Sequence, residues 1–276
     1  MTQADLARRF RSSHHQDSPL VLPNAWDAAS ARLVEHAGAA AVATTSAGVS
    51  WSLGVADGER LDRDRALDLV ARVAAAVAVP VTADVEGGYA ETADGVAATV
   101  RGVLAAGAVG VNLEDADHTG PGRLRPVAEQ AERFAAARRA ADGEGVPLFV
   151  NARIDTFLYA VGDPATRLDA VLARATAYVA AGADGIFVPG VTDPATISAL
   201  VAGIDVPLNV MAGPGSPTVP ELAALGVARI SVGSAIAQSA YAVVRRGAAE
   251  LLSSGTYTSL VDTLDVDRLW SSRAAR

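Results

Sequence analysis

In the string VTADVEGGY, Asp84 and Glu86 stand two residues apart at the end of an apolar run, and in VNLEDADH a third carboxylate, Glu114, ends the next run. Residues i and i+2 of a strand share a side, so Asp84 and Glu86 point the same way if the strand runs on. With Asp57, from a Gly-containing loop, they make an oxygen-rich acidic pocket. Such a donor set suits Mg²⁺ or Mn²⁺ better than zinc, because Cys is absent and His is scarce nearby. The same acids could instead cap helices or sit solvated in loops.

Arg153, in VNARIDTF, offers a guanidinium that could grip a carboxylate with two parallel hydrogen bonds, or could form an internal ion pair with Asp155 or Glu114. Thr44, Thr45 and Ser46 supply hydroxyl and N–H groups for a second carboxylate, or simply make a turn. Asn209 ends a further apolar run and is a candidate substrate contact. Among four His, His14 and His15 fall in a polar helix and His36 near a helix end, where capping is expected. His118, in DADHTGPGRL, is the candidate general acid, with a solvated loop side chain as the alternative. Trp26 and Trp51 could wall the pocket or pack elsewhere, and Gly233-Ser234 is a weak phosphate-site signal.

What the chain lacks narrows the chemistry. All 23 basic residues are Arg and there is no Cys, which excludes a Schiff-base lysine, a phosphate-loop lysine, a thiol nucleophile and a disulfide. A net charge of −8 without a basic stretch argues against nucleic acid, and no uninterrupted apolar run is long enough for a membrane span. The amino-terminal residues are polar and helical in pattern, so a soluble cytoplasmic protein with a small-molecule partner is expected.

These residues need a scaffold that gathers strand ends. The 276 residues alternate short β-like runs with Ala-rich helical spacing: Leu20–Pro23, Ala40–Thr44, Val79–Val85, Val109–Leu113, Leu148–Asn151, Gly185–Pro189, Leu208–Met211 and Arg229–Val232 are the eight expected strands. Alternation throughout predicts a parallel sheet covered by helices. The first turn reads PNAWDAAS rather than the Gly-rich turn of a dinucleotide fold, which favours a (β/α)8 barrel over an open doubly wound sheet. In a barrel, chemistry sits at the carboxyl ends of the strands, where all the candidates above fall. Two long loops there, Ala47–Arg60 and Asp115–Arg125, are candidate lids. The expected division is an N-terminal helix at 1–17, the barrel at 18–255 and a tail at 256–276.

Together, LVLPNAWDAASARLVEHAGAAAV, SLGVAD, VTADVEGGY, VNLEDADH and VNARIDTF resemble the isocitrate lyase and phosphoenolpyruvate mutase superfamily, in order over roughly residues 18 to 250. The resemblance implies an α/β TIM barrel with an extra N-terminal helix, a swapped C-terminal helix, a homo-oligomer of dimeric or tetrameric kind, and Mg²⁺-dependent chemistry on 2-oxo or 2-hydroxy acids. It implies Asp84 as the direct metal carboxylate, with Asp57, Glu86 and Glu114 holding metal-bound water. Arg153 would be the substrate-binding arginine, and Thr45 and Ser46 the carboxylate-anchoring turn.

The loop after the fourth strand departs from the family. Isocitrate and methylisocitrate lyases carry a Lys-, Cys- and His-containing motif there, and phosphonomutases carry Lys and Asn; this chain reads ADHTGPGRLRP. The electron-sink half of the site survives, so the expected activity is a metal-dependent C–C lyase working through an enolate, oxaloacetate decarboxylase-like or methylisocitrate lyase-like. The alternatives are a lyase with His118 as replacement acid, a P–C bond mutase or hydrolase, and a barrel that binds a carboxylate without turning it over.

Overall fold

The structure is a computed structural model that describes residues 1–119 and 123–271. Helix α1 (Gln3–Ser12) precedes strand β1 (Leu20–Leu22), which Pro23 separates from β2 (Asn24–Ala25). Then follow α2 (Ala28–His36), β3 (Val42–Thr44), α3 (Ser46–Ser52), α4 (Arg63–Ala76), β4 (Val81–Asp84), α5 (Ala93–Ala105), β5 (Gly110–Glu114) and α6 (Val127–Gly143). The second half runs through β6 (Phe149–Arg153), α7 (Arg167–Ala180), β7 (Gly185–Val188), α8 (Pro194–Gly203), β8 (Leu208–Met211), α9 (Val219–Ala224), β9 (Arg229–Ser231), α10 (Ala235–Ser254) and α11 (Val266–Ser271).

Every strand pair is parallel, in the order β1-β9-β8-β7-β6-β5-β4-β3-β2. The two ends of that order are halves of one strand. Pro23 has no N–H to give to a ladder, so the chain changes neighbour there: Leu20–Leu22 pairs with β9, and Asn24–Ala25 with β3. The sheet thereby closes as the eight-position barrel expected from the sequence. Pro23, taken there as a strand end, is a break inside the first strand.

The helices form where the sequence supplies caps and an apolar stripe. In α4 the Asp62 carboxylate accepts from Asp64 and Arg65 N–H, while Ala66, Leu69, Val70, Val73 and Ala76 bury at spacings of three and four. In α5 Thr92 caps by accepting from Gly95 N–H, and Val96, Val100 and Val103 face the sheet. The expected loop at Ala47–Arg60 is half helix, because α3 occupies Ser46–Ser52.

Helix α1 covers the amino-end opening of the barrel. Phe10 is fully buried, edge-on to Phe149 at 5.8 Å, and Arg11 pairs with Asp184 at 2.6 Å. His14 is not a capping residue of an exposed helix: it is buried, stacks on Phe149 at 3.8 Å, and its Nδ1 bonds to the Phe10 carbonyl. At the other end of the chain α10 stops at Gly255, whose φ of 65° is the left-handed conformation that Gly adopts without strain. The residues after it turn back, with Glu250 accepting from Thr256, Thr258 and Ser259. Of the expected tail, 272–276 lies outside the described residues. No helix among the described residues is long and apolar enough to cross a membrane.

Candidate active site

A cavity of about 190 Å³ opens at the carboxyl ends of the strands, lined by Ser46, Asp57, Gly58, Glu86, Glu114, His118, Arg153 and Tyr159. Strand register brings these groups together. Glu114 lies opposite Arg153 in the β5–β6 ladder, and Asp84 opposite Asn112 in the β4–β5 ladder. Arg153 Nη1 meets Glu114 Oε2 at 2.7 Å, and its Nε donates to Asp155 Oδ1 at 2.7 Å. Both ion pairs that the sequence allows therefore exist, and the guanidinium still lines the cavity. Its Nη2 has no partner among the described residues.

Each predicted carboxylate has a different setting. Glu86 Oε2 accepts from Gly58 N–H at 3.0 Å and from Glu59 N–H, and Oε1 accepts from the Tyr89 hydroxyl at 3.1 Å. Glu114 gives one oxygen to Arg153 and the other to His118 Nε2 at 2.6 Å. Asp84 Oδ2 accepts from Ser46 N–H at 3.3 Å, whereas Asp84 Oδ1 is buried without a partner. Of the acids put forward for a metal, Asp84, Glu86 and Glu114, only Asp84 keeps an oxygen without a protein donor. Protein donors already occupy the oxygens of the two glutamates, and no group of three His, Asp or Glu among the described residues is placed to hold an ion by itself. A cation's fit therefore rests on the orphaned Asp84 oxygen, since a buried carboxylate oxygen without a donor is costly unless something positive meets it.

Burial drives the electrostatics. It pushes Glu86 up to about 8, against the pull of the Glu59 N–H and with further lift from Asp57 and Glu114. Burial likewise raises Glu114 to about 7, although Arg153 opposes it, and raises Asp57, with Asp84 adding to the effect. The bond to Glu114 raises His118 against its own burial. For Arg153 burial acts downward, but Glu114, Asp155 and Asp84 outweigh it and hold the guanidinium well above its ordinary value. The site is thus short of positive charge, with Arg153 as its permanent cation.

Several supports were not visible in the sequence. Tyr89, quoted in VTADVEGGY without a role, bonds Glu86 through its hydroxyl and gives its N–H to Glu59 Oε1 at 2.7 Å. Arg133 of α6 reaches under the loop after β4 and donates to the carbonyls of Gly87, Ala90 and Glu91. Asp115 accepts from Asp155 N–H, Arg174 and the Tyr178 hydroxyl, which fixes the floor beneath Glu114 and Arg153. Tyr159 had no signal beyond its closeness to VNARIDTF. The four non-glycine residues at positive φ among those described, Glu59, Glu86, Tyr89 and Ala160, all lie at or beside this cavity. Backbone strain gathered at one place is a mark of a working site.

The remaining candidates divide between the cavity and the packing around it. Thr44 accepts the Asp84 N–H on its hydroxyl at 2.9 Å, Ser46 lines the cavity, and Thr45 is buried at the start of α3. Asn209 is buried inside the barrel, bonded to Asn151 at 3.1 Å and to the Arg229 carbonyl, and does not line the cavity. Trp51 packs on Tyr241 of α10, and neither it nor Trp26 lines the cavity. The loop Asp115–Arg125 is closed at its stem by the Ala116–Leu124 bridge and the Asp117–Arg123 and Arg125–Asp115 backbone bonds. Residues 120–122 of that expected lid lie outside the described residues.

A family model described as phosphoenolpyruvate phosphomutase matches residues 10–252. A solved structure from Burkholderia cenocepacia J2315, provisionally named a phosphonomutase, is 47% identical, with a TM-score of 0.84 over 88% of this chain and 98% of that one. The 2-methylisocitrate lyase of Escherichia coli (strain K12) is 29% identical over 270 residues, 93% of this chain and 88% of the relative. A phosphonopyruvate hydrolase solved with oxalate and Mg²⁺ is 25% identical, with a TM-score of 0.85 over 100% of this chain and 97% of that chain.

Proposed function

The chain belongs to the phosphoenolpyruvate phosphomutase family, and from that premise we propose that it is a divalent-metal-dependent carbon–carbon lyase. Its substrate in this reading is a small 2-oxo or 2-hydroxy carboxylate cleaved by way of an enolate, with decarboxylation of a β-keto acid as the simplest form. The observation that carries the reading is the unpartnered Asp84 oxygen: Asp84 is not itself a lining residue of the small cavity, but its other oxygen meets the N–H of the lining Ser46, and it lies within electrostatic range of the permanently charged Arg153. A volume of about 190 Å³ corresponds to about six waters of liquid, the scale of a short dicarboxylate and not of a nucleotide.

Mg²⁺ or Mn²⁺ would be held by Asp84 directly and by Asp57, Glu86 and Glu114 through water, and when bound it supplies the positive charge that polarises a 2-oxo carbonyl and steadies an enolate. The remaining roles belong to the chain. Arg153 keeps Nε and Nη1 on Asp155 and Glu114, which fixes its plane and leaves Nη2 to grip a substrate carboxylate. Ser46 supplies a further hydroxyl to the lining, beside Asp57 and Asp84. Glu86, held by two backbone N–H groups and Tyr89, and Glu114, held by Arg153 and His118, keep fixed positions through turnover, so no reorganisation is needed as charge develops.

An NMR screen of 2-oxo and 2-hydroxy dicarboxylates with Mg²⁺, with phosphonopyruvate included, tests the reading. Loss of a carbon–carbon bond in a four- to six-carbon acid is the expected result; turnover of phosphonopyruvate alone would replace it with P–C chemistry, and binding without turnover would replace it with a sensor. The same reading includes a homo-oligomer. Helix α10 buries only Ala237 and Gly247 and leaves Val243, Val244, Leu251 and Leu252 exposed, with Leu252 at 87%. Light scattering should report more than one subunit, and a monomer at micromolar concentration would remove that part.

A further inference from the structure

We infer that Tyr159 is the residue that delivers a proton to the enolate carbon in this site, an inference that rests on the enolate reading above. The loop after β5 lacks the Lys and Cys donors of related enzymes, so the acid must come from another wall of the cavity. Tyr159 lines that cavity together with the carboxylates, and its phenol senses Glu114, Asp155, Arg153 and Asp57, which sets its oxygen in the same enclosure.

The other proton-bearing side chains of the lining each hold a neighbour. His118 holds Glu114 through Nε2, and Ser46 bonds Asp57. Glu86 and Glu114 each have both oxygens occupied by protein donors. Tyr159 alone among the lining side chains with an O–H has that group free of any partner among the described residues. Burial and the neighbouring carboxylates push it up to about 12, so it stays neutral and loaded with its proton throughout the physiological range.

The ring is held in place. Arg123 lies over its face at 5.4 Å, on the arm that returns from the loop after β5. On the other side the chain turns sharply, with Tyr159 N–H on the Asp155 carbonyl at 3.0 Å and Ala160 at a φ of 52°. A non-glycine residue at that angle directly after Tyr159 is strain spent on aiming the side chain.

The step balances as follows for a β-keto acid. The bond between C3 and the departing carboxylate breaks, CO₂ leaves, and the bonding pair stays on the enolate. That pair takes the phenolic hydrogen, a C–H bond forms, and the phenolate recovers a proton from water at the cavity mouth. The reverse, removal of a C3 proton by the phenolate, must occur on the product, so the role can be tested without knowing the substrate.

The experiment follows deuterium entry at C3 of pyruvate and 2-oxobutyrate in D₂O with Mg²⁺ by NMR, alongside calorimetric binding of oxalate, for the wild type and Tyr159→Phe. Phe keeps the ring under Arg123 and removes an oxygen that has no partner among the described residues, so the fold and the melting temperature should be unchanged. The expected result is exchange lowered by about 10²–10⁴-fold with oxalate affinity nearly unchanged. Exchange at the wild-type rate in Tyr159→Phe overturns the inference and leaves the enolate reading standing. A parallel loss of oxalate affinity and exchange overturns it in favour of substrate positioning. Absence of exchange in a wild type that binds oxalate overturns the enolate reading, and this inference with it.

Discussion

The two ends of the barrel bury ionisable groups in opposite ways. At the carboxyl end Asp57, Glu86 and Glu114 are raised by burial and clustered around one cation, and every non-glycine residue at positive φ among those described lies at or beside them. At the amino end a cation is buried without a carboxylate in contact among the described residues: Arg229 is 1% exposed, bonds Asn112 at 3.1 Å, has Phe10 under its guanidinium at 5.8 Å, and feels Asp84 only through the field. Burial lowers Arg229 to about 9 and His14 beside it to about 3. The floor is held by aromatic stacking and the Arg11–Asp184 ion pair, and its own unpartnered atoms, Arg229 Nε and Nη1 and His14 Nε2, are shut inside the packing. The top places its spare groups, an orphaned carboxylate oxygen, an unused guanidinium edge and a free phenol, at or beside a cavity, where a ligand can use them.

The largest expected effect breaks the top alone. Asp84→Ala should abolish calorimetric binding of Mg²⁺ with oxalate and lower turnover by about 10³-fold or more, the worth of several kcal/mol of lost charge stabilisation. Unchanged binding would remove Asp84 from the centre of the site. Stability should change little, because the carboxylate has one weak donor and an oxygen with none.

The next effect belongs to the floor and depends on pH. His14 ionises near its ordinary value of 6.5 when unfolded but only at about 3 when folded, because burial and Arg229 disfavour its charge. The unfolded chain therefore binds the extra proton first as pH falls, and stability contributed by neutral His14 is lost between those two values. Denaturant titrations should show a loss on the order of 4 kcal/mol from this residue by pH 3. His14→Phe, which keeps the stack on Phe149, should flatten that part of the profile; an unaltered profile would mean that His14 is not the group responsible.

Between the two ends, Asn209 sharpens the boundary. Taken from the sequence it is a strand-tip substrate contact, but its amide joins Asn151, the Arg229 carbonyl and Ser231 inside the barrel. Asn209→Ala should cost about 1–3 kcal/mol of stability, the cost of buried groups losing their partner, and leave oxalate affinity alone. A selective loss of affinity would return it to the site.

The contrast also explains what could be read in advance. Eight apolar runs separated by helical spacing point to the barrel because both periodicities are local properties of the chain. The acids are legible in part for a similar reason, since strand ends bring Asp84 and Glu114 to the carboxyl edge of the barrel; Glu86 reaches the cavity by another route, because β4 stops at Asp84 and Glu86 turns to a φ of 50°, so the alternation of a continuing strand does not place it. Tyr159, Tyr89 and Arg133 are not legible, because their roles arise from a turn at Ala160, a left-handed residue at Tyr89 and a reach from α6 across the loop after β4. His14 escapes a sequence reading for the same reason: a polar helix hides the one face that closes the floor, and only the stack on Phe149 shows it.

The smallest effect concerns His118, which the sequence put forward as the acid. Its Nε2 is 2.6 Å from Glu114 Oε1, a contact that favours a holding role. Glu114 is shared between His118 and Arg153, and neither partner is free to leave without exposing a buried carboxylate. Gln can still donate one N–H to Glu114, whereas Ala cannot. A holding role therefore predicts a graded series, with His118→Gln lowering turnover by about tenfold, the worth of one weakened hydrogen bond to a charge, and His118→Ala lowering it further. Transfer of a proton to substrate predicts no grading, because neither Gln nor Ala can act as the acid, and both should then lose about 10²–10⁴-fold. Comparing the two variants with Tyr159→Phe under one assay separates the assignments: a graded His118 series beside a steep Tyr159 loss places the acid on the loop after β6, and equal, steep losses in both His118 variants place it on the loop after β5.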